Sequence, residues 1–155
     1  MTLLCVQCIP EVGKPVVYYM YMKCLKCREV LSRWQVKYCS NKCQSDYQYE
    51  QYIKKWKKKL VDGGRGLSTR NISRYLRRYL VEKFGEKCGE CGWNKKHPVS
   101  GNSPIEVDHI DGDSENNEES NLRLLCPNCH ALTSNFKNYN KGKGRVWRKT
   151  KYMKN

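Results

Sequence analysis

Apolar residues recur at helical spacing in two parts of the chain. Over residues 41–60, large apolar side chains return every three or four positions, which predicts an amphipathic helix capped by Ser40 and ending in a run of lysines. Over residues 68–84, a second apolar stripe with arginines mostly off it predicts another helix. The stretch 61–67 holds three glycines, which predicts a linker between the two helices.

The pattern changes to alternation further along the chain. Residues 105–110 alternate apolar and polar side chains, which is typical of a strand with one buried face. The Asp-Gly pair at 111–112 predicts a turn, a polar loop follows over residues 113–120, and residues 121–125 predict a second short strand. Because a helix is then expected to start near His130, the sequence predicts an α+β fold with the order strand, loop, strand, tight turn, helix.

The ten cysteines of this 155-residue chain all fall in close pairs, four of the form C-x2-C and one C-x3-C. Such a pair lets one tight turn present two thiolates to the same ion, and two pairs complete a tetrahedral zinc site. The first residues do not resemble a secretory signal peptide, and no apolar run approaches the roughly 18–20 residues that span a bilayer. We therefore expect an intracellular protein, not secreted and without a membrane partner, whose reduced cysteines bind zinc.

Two zinc sites are predicted, and each would stabilise a small unit with little apolar core. The C-terminal site joins two C-x2-C pairs on either side of the predicted strands: Cys88, Cys91, Cys126 and Cys129. In the N-terminal part, spacing leaves two sets open. The favoured set forms a zinc knuckle just before the first helix: Cys24, Cys27, Cys39 and Cys43. The alternative has an acceptable C-x2-C-x15-C-x2-C spacing: Cys5, Cys8, Cys24 and Cys27.

The charge of the chain favours a polyanionic partner, since the formal net charge is +15. Two four-cysteine zinc sites, at −2 each, would lower it only to about +11. Seven of the fifteen acidic residues lie within residues 106–119, a window without Lys or Arg, while thirty basic and eight acidic residues occupy the rest of the chain. A basic body around a local acidic cluster fits a nucleic-acid-binding protein that holds a hard cation at one point.

Four side chains near the predicted strands offer catalytic chemistry. Asp108 and His130 provide a carboxylate and an imidazole, which are usable ligands for a divalent ion and leave other coordination positions for water and phosphate oxygens. His109 follows Asp108 on the strand, so it points to the opposite face and can act on a different atom. A neutral imidazole is a suitable general base near neutral pH. Asn121 is expected to hold the loop through its amide and keep His109 oriented.

Three motifs of the C-terminal half occur together in one known family. They are CGEC at residues 88–91, VDHIDG at 107–112 and NLRLLCPNCH at 121–130. In this combination the chain resembles the zinc-bearing HNH endonucleases found in phages, with the three letters falling on His109, Asn121 and His130. The resemblance covers about residues 68–150. The segment KYCSNKC at 37–43 is also similar to a zinc knuckle that precedes the nuclease in many phage members.

The resemblance implies a ββα-metal fold, here a small zinc-stabilised module preceded by a zinc knuckle and helices. It implies hydrolysis of phosphodiester bonds in double-stranded DNA with Mg²⁺ or Mn²⁺, leaving 5′-phosphate and 3′-hydroxyl ends. In that mechanism Asp108 and His130 hold the catalytic ion, His109 activates water and Asn121 braces the site. One such site nicks one strand, so a double-strand break needs a second event or a homodimer. A homing-like phage nuclease in the cytoplasm of a host cell is the expected setting.

The expected organisation is a DNA-binding zinc knuckle with a basic helix at 1–60, a linker at 61–67, and the nuclease module with a basic C-terminal arm at 68–155. Basic side chains of the second helix, the second strand and the arm are expected to contact DNA phosphates, since Lys and Arg supply the sequence-independent part of DNA affinity. They are Arg74, Arg77, Arg78, Arg123, Lys143, Arg145 and Arg148. Two alternatives stay open: a non-catalytic zinc-dependent DNA-binding regulator, and an RNA-binding zinc protein.

Overall fold

A computed structural model of the protein describes residues 22–65 and 71–140. The chain divides into two compact units, Met1–Gln51 and Tyr52–Asn155, with the boundary inside the first helix. The domain limits expected from the sequence, with the linker at 61–67, stay a prediction. Five residues with predicted roles lie outside the described part of the chain: Cys5, Cys8, Lys143, Arg145 and Arg148.

In the described part of the first unit, a loop before the first helix carries Cys24, Cys27 and Cys39. An antiparallel bridge pairs Lys23 with Val30 and closes the turn between them. The backbone N–H of Leu25 donates to the carbonyl of Lys37 at 2.9 Å, which ties the following loop to this turn. These bonds hold the pair Cys24 and Cys27 close to the pair Cys39 and Cys43.

Helix α1 (Asn41–Lys57) begins between Cys39 and Cys43, so Cys43 lies in its first turn. Its first turn is capped by Ser40, whose Oγ accepts a hydrogen bond from the backbone N–H of Cys43 at 3.2 Å. Lys59 takes a positive φ of 57° just after the helix, which stops the α-helical path. The helix predicted over residues 41–60 and its serine cap are therefore confirmed, apart from the last turn.

Two very short strands precede the second helix. Strand β1 (Gly64–Arg65) pairs in antiparallel fashion with β2 (Asn71–Ile72). Helix α2 (Arg74–Phe84) starts only after Ser73, whose Oγ accepts a hydrogen bond from the N–H three residues later at 3.1 Å. The predicted start at Ser68 was wrong, because Ser73 is the cap. Strand β1 lies within the segment 61–67, whose role as a linker stays a prediction.

The C-terminal elements follow the order predicted from the sequence. Strand β3 (Glu106–His109) pairs in antiparallel fashion with β4 (Leu122–Leu125). Helix α3 (Pro127–Ala131) begins immediately afterwards. The predicted start near His130 was wrong, because Cys126 is the cap and His130 lies in the last turn. Gly112 takes a positive φ of 77° in the turn that leaves β3, a conformation that glycine adopts without strain. The fold is α+β, with a small two-stranded sheet and a following helix.

The core of the second unit lies between α2 and the β3–β4 sheet. Leu76 and Leu80 of α2 and Leu125 of β4 are completely buried. Cys88 and Cys126 belong to the same buried cluster, so part of the predicted zinc site is continuous with the apolar core. Across the residues that the structure describes, no helix has both the length and the apolar character needed to cross a bilayer.

Candidate active site

The C-terminal cysteine cluster has the dimensions of a tetrahedral metal site. Its four sulfur atoms lie within 4.8 Å of one another: those of Cys88, Cys91, Cys126 and Cys129. The Sγ atoms of Cys91 and Cys126 are 3.8 Å apart. Zinc–sulfur bonds of about 2.3 Å in a tetrahedron separate neighbouring sulfurs by about 3.8 Å. All four are free cysteines, so the geometry and the donor type both fit zinc.

The electrostatics of this cluster also fit a cation. Burial alone would raise the pKa of the Cys88 thiol, but N–H donors that include those of Cys91 and Cys126 bring it down to about 6. Hydrogen bonding to the thiols of Cys91 and Cys126 raises the pKa of Cys129 to about 12. Four sulfurs this close cannot all become thiolates unless a positive ion compensates their charge.

The N-terminal cysteine cluster has similar dimensions. Four sulfur atoms again lie within 4.8 Å of one another, those of Cys24, Cys27, Cys39 and Cys43. Cys39 is central, with its sulfur 3.4 Å from that of Cys27 and 3.4 Å from that of Cys43. This arrangement supports the favoured set, a zinc knuckle directly before α1. The alternative set depends on Cys5 and Cys8, which lie outside the described residues.

A carboxylate and an imidazole converge beside the C-terminal cluster. Asp108, on β3, is only 6% exposed, and His130 lies in the last turn of α3. Asp108 Oδ1 and His130 Nε2 are 3.6 Å apart, which is too long for a hydrogen bond. Oxygen and nitrogen donors at this separation can contact a single divalent ion. The structure therefore brings the two predicted metal ligands together.

The second oxygen of Asp108 is occupied by Arg123. The two residues lie opposite each other in the β3–β4 register. Arg123 Nε donates to Asp108 Oδ2 at 2.8 Å, and its Nη1 donates to Glu90 at 2.6 Å. The guanidinium thus fixes the carboxylate so that Oδ1 is the atom directed at His130. Arg123, predicted to contact DNA, is engaged inside the site.

Glu106 holds His130 and was not predicted as a site residue. Glu106 Oε2 accepts a hydrogen bond from His130 Nδ1 at 2.5 Å. The proton is then on Nδ1, and the Nε2 lone pair faces Asp108, as a metal-binding imidazole requires. Glu106 and Asp108 are two residues apart on β3 and share a face. That spacing was the signal available in the sequence.

His109 lies on the other face of β3 from Asp108. Its Nε2 is 2.9 Å from the side-chain oxygen of Asn117. Asn117 is 7% exposed and lies in the polar loop that the sequence left without assigned roles. His109 is therefore separated from the Asp108–His130 pair by the pleat of the strand, as predicted, and has a buried polar partner.

Asn121 holds the loop between β3 and β4. Its Oδ1 accepts from the N–H of Asp111 at 3.0 Å, and its Nδ2 donates to Asp111 Oδ1 and to the carbonyl of Asn116, both at 2.8 Å. Burial would raise the pKa of Asp111, but donors from Asp113, Asn116 and Asn121 lower it below its ordinary value. Asn121 therefore braces the loop through its amide, as expected, while the direct contact to His109 is made by Asn117.

The arginines of α2 have partners within the protein. Arg74 lies over the ring of Tyr75, with 5.0 Å between the guanidinium carbon and the ring centroid. Arg77 Nη2 donates to the carbonyl of Ile105 at 2.9 Å. Arg78 pairs with Glu82, four residues later on the helix, at 2.8 Å. Their contacts with DNA stay a prediction.

Known proteins resemble the part of the chain that contains this site. The sequence model of the HNH endonuclease family matches residues 88–136. The H-N-H endonuclease F-TflIV of Escherichia phage T5 is 38% identical over 96 residues, which are 62% of this chain and 40% of that protein. The chain thus spans less than half the length of that relative. No solved structure matches the chain significantly.

Proposed function

We propose that this chain, whose residues 88–136 form a domain of the HNH endonuclease family, is a metal-dependent endonuclease that hydrolyses phosphodiester bonds in double-stranded DNA. The proposal rests on one geometric observation above all. Asp108 Oδ1 and His130 Nε2 converge to 3.6 Å, and His109 stands next to Asp108 on the opposite face of the same strand. A metal-binding pair and a separate general base are the two components that such a hydrolysis requires.

The catalytic ion in this proposal is Mg²⁺ or Mn²⁺, held by Asp108 and His130. When bound, such an ion polarises the scissile phosphate and neutralises charge on the leaving oxygen. Arg123 keeps the Asp108 carboxylate turned towards the site, and Glu106 does the same for the His130 ring. His109 accepts a proton from the attacking water, and Asn121 keeps the surrounding loop in place.

The zinc ions have a structural role in this proposal. Cys126 is the N-cap of α3 and Cys129 lies within that helix, one residue before His130. An ion that joins these two thiolates to Cys88 and Cys91 fixes the orientation of α3 relative to the hairpin. The position of His130 beside Asp108 therefore depends on zinc, although zinc itself takes no part in the reaction.

The proposed substrate follows from the charge of the chain and the number of sites. A formal charge of +15 favours a polyanion, and Arg74, Arg77 and Arg78 on α2 are proposed to contact its phosphates. A single catalytic site cuts one strand, so the product of one event is a nick. A double-strand break would require a second event or a homodimer. We place this activity in the cytoplasm of a host cell, in a phage or homing-like setting.

A plasmid assay tests the proposal against its alternatives. Purified protein with Mg²⁺ or Mn²⁺ is expected to convert supercoiled plasmid to the open circular form, and EDTA added just before the metal should prevent it. Binding of the plasmid without cutting under every metal tested would contradict the enzyme and favour a DNA-binding regulator. Competition between duplex DNA and RNA in the same buffer identifies an RNA-binding protein. In that case RNA, but not duplex DNA, would displace the protein from a labelled probe.

A further inference from the structure

We propose that Asn117 is the positioning residue of His109: its side-chain oxygen holds the imidazole with the proton on Nε2, so that Nδ1 is the atom that accepts a proton from water. The catalytic half of this inference rests on the proposed function. The half that concerns the tautomer does not. It applies to the folded protein with or without substrate and can be measured separately.

The contact between the two side chains has the length of a hydrogen bond and is partly buried. His109 Nε2 and Asn117 Oδ1 are 2.9 Å apart, a normal length for a hydrogen bond between nitrogen and oxygen. Asn117 is 7% exposed, so its amide has little water to bond with instead. A buried amide oxygen without a donor is costly, and the N–H of His109 is the donor that faces it. The neutral ring is thereby held in one orientation.

The backbone and Cβ of Asn117 are themselves fixed from two sides. Its carbonyl accepts a hydrogen bond from the indole Nε1 of the buried Trp56 at 3.1 Å, and its N–H donates to the carbonyl of Glu115 at 3.1 Å. Its Cβ lies against Gly63, where an added methyl group would come within 2.9 Å of it. The end of α1 and the segment before β1 therefore support the residue that supports His109.

The two histidines near Asp108 are held through opposite nitrogens. His130 is bonded through Nδ1 to Glu106, which leaves Nε2 directed at Asp108. His109 is bonded through Nε2 to Asn117, which leaves Nδ1 as the basic nitrogen. The two partners also differ in charge. The carboxylate of Glu106 favours a metal-binding imidazole, whereas the neutral amide of Asn117 only selects the tautomer. Each partner thus suits the different role proposed for its histidine.

Nitrogen-15 NMR distinguishes the two tautomers of an imidazole ring. The chain has only three histidines, so their signals can be assigned individually. At a pH at which the rings are neutral, we expect wild-type His109 to carry its proton on Nε2. Asn117→Asp keeps an acceptor oxygen and should preserve this tautomer, whereas Asn117→Leu removes the acceptor and should give a mixture. A proton on Nδ1 in the wild type, or an unchanged tautomer in Asn117→Leu, would overturn the inference. If Asn117→Leu does not fold, the wild-type and Asn117→Asp spectra still decide.

The nicking rate then tests the catalytic half. In Asn117→Leu we expect kcat to fall about 10- to 100-fold, the loss typical of removing a supporting hydrogen bond, with KM for DNA unchanged. Asn117→Asp should restore much of the rate. Asn102→Leu is the matched control, because Asn102 is exposed and its backbone bonds to His97 and Ser100, which lie outside the proposed site. Equal losses in the two leucine variants would contradict a positioning role. If the wild type does not nick, the proposed function fails, while the tautomer result stands or falls separately.

Discussion

At the scale of single residues, the site is assembled from pairs in which one side chain fixes the reactive atom of another. Arg123 takes one oxygen of Asp108 and leaves the other directed at His130. Asn117 contacts one nitrogen of His109 and leaves the second for the proposed role as a base. The supporting residue in each pair sits at a buried or half-buried position, where its hydrogen bond competes little with water.

Substitution of Gly63 should disturb the position of Asn117, because the two residues are in close contact. It has a φ of 83°, and a methyl group there would lie 2.9 Å from Asn117 Cβ and 2.9 Å from Leu76 Cδ2. Gly101, with a φ of 68° and no neighbour within 4 Å, is the matched control. We expect Gly101→Ala to cost about 1 kcal/mol of unfolding free energy from backbone strain alone. Gly63→Ala should cost about 1–3 kcal/mol more from the clash.

Urea unfolding at fixed zinc concentration measures both variants. Similar losses of unfolding free energy for Gly63→Ala and Gly101→Ala would mean that the packing between Gly63 and Asn117 is not tight. A normal NMR signal for the His109 tautomer in Gly63→Ala would lead to the same conclusion.

The sequence was most informative for residues that belong to motifs. His109, Asn121 and His130 stand at recognisable spacings, and the structure brings Asp108 and His130 together as expected. Asn117 could not be found in this way, because it lies among polar residues without periodicity and its role depends on where the loop folds. The sequence pointed to Asn121 as the residue that orients His109, and only the folded loop shows that Asn117 makes the contact.

At the scale of secondary-structure elements, α3 is too short to hold its position by itself. It has five residues, and the fixed points at its start are Cys126 and Cys129. A helix of this length has little intrinsic stability in water, so we expect its orientation to depend on the zinc ion proposed to join it to Cys88 and Cys91. That ion would connect sequence-distant elements that the small core alone would hold weakly.

Zinc content and zinc removal test this dependence. We expect two zinc ions per purified chain by elemental analysis, and a value of one would reject the N-terminal cluster as a zinc site. Cys88→Ser should lose one zinc, unfold the β3–β4 module and abolish nicking. Cys27→Ser should also lose one zinc but keep the fold of that module, as judged by its amide NMR signals. Retention of the β3–β4 amide signals in Cys88→Ser would contradict the structural role.

A second connection joins α2 to the loop before β4. Lys83 forms an ion pair with Glu119, and the hydroxyl of Tyr79 donates to the same carboxylate at 2.8 Å. The Lys83 hydrogen bond is the largest cause that lowers the pKa of Glu119, partial burial opposes it, and Tyr79 contributes to the lowering. Because Glu119 begins the turn that leads to Asn121, this pair ties the loop between β3 and β4 to α2.

Lys83→Met should raise the pKa of Glu119 towards the ordinary value of a glutamate. A lowered pKa in the folded state stabilises it at pH above the unfolded-state pKa, and this contribution disappears as pH falls through the folded-state pKa. The stability difference between wild type and Lys83→Met is therefore expected near neutral pH and should vanish in acid. A carboxyl carbon-13 titration of Glu119 measures the shift directly, and an unchanged midpoint in the variant would show that Lys83 is not its cause.

Elements with a regular apolar pattern could be predicted, and elements without one could not. Helix α1 and strands β3 and β4 carry regular apolar patterns, so their positions followed from periodicity. Strands β1 and β2 have two residues each, which is too short for any pattern. The start of α2 was missed because Ser68 and Ser73 offer the same capping chemistry, and only the β1–β2 pairing decides between them.

At the scale of the whole molecule, zinc binding and catalysis are assigned to different residues within one compact unit. The unit Tyr52–Asn155 contains the C-terminal cysteine cluster, the Asp108–His130 pair and His109. It also contains the segment 88–136 that matches the HNH family. Because different residues are proposed for zinc binding and for catalysis, the effect of replacing the proposed base can be separated experimentally from a change in folding or in DNA binding.

Replacement of His109 makes that separation and tests the central proposal most directly. His97→Ala is the matched control, since His97 is exposed and its Nδ1 only accepts hydrogen bonds within its own loop. With Mg²⁺ or Mn²⁺ and supercoiled plasmid, we expect His109→Ala to lose nicking at least about 100-fold while its zinc content and DNA affinity match the wild type. His97→Ala should nick like the wild type. Nicking by His109→Ala at the wild-type rate would contradict the assignment of His109 as the general base.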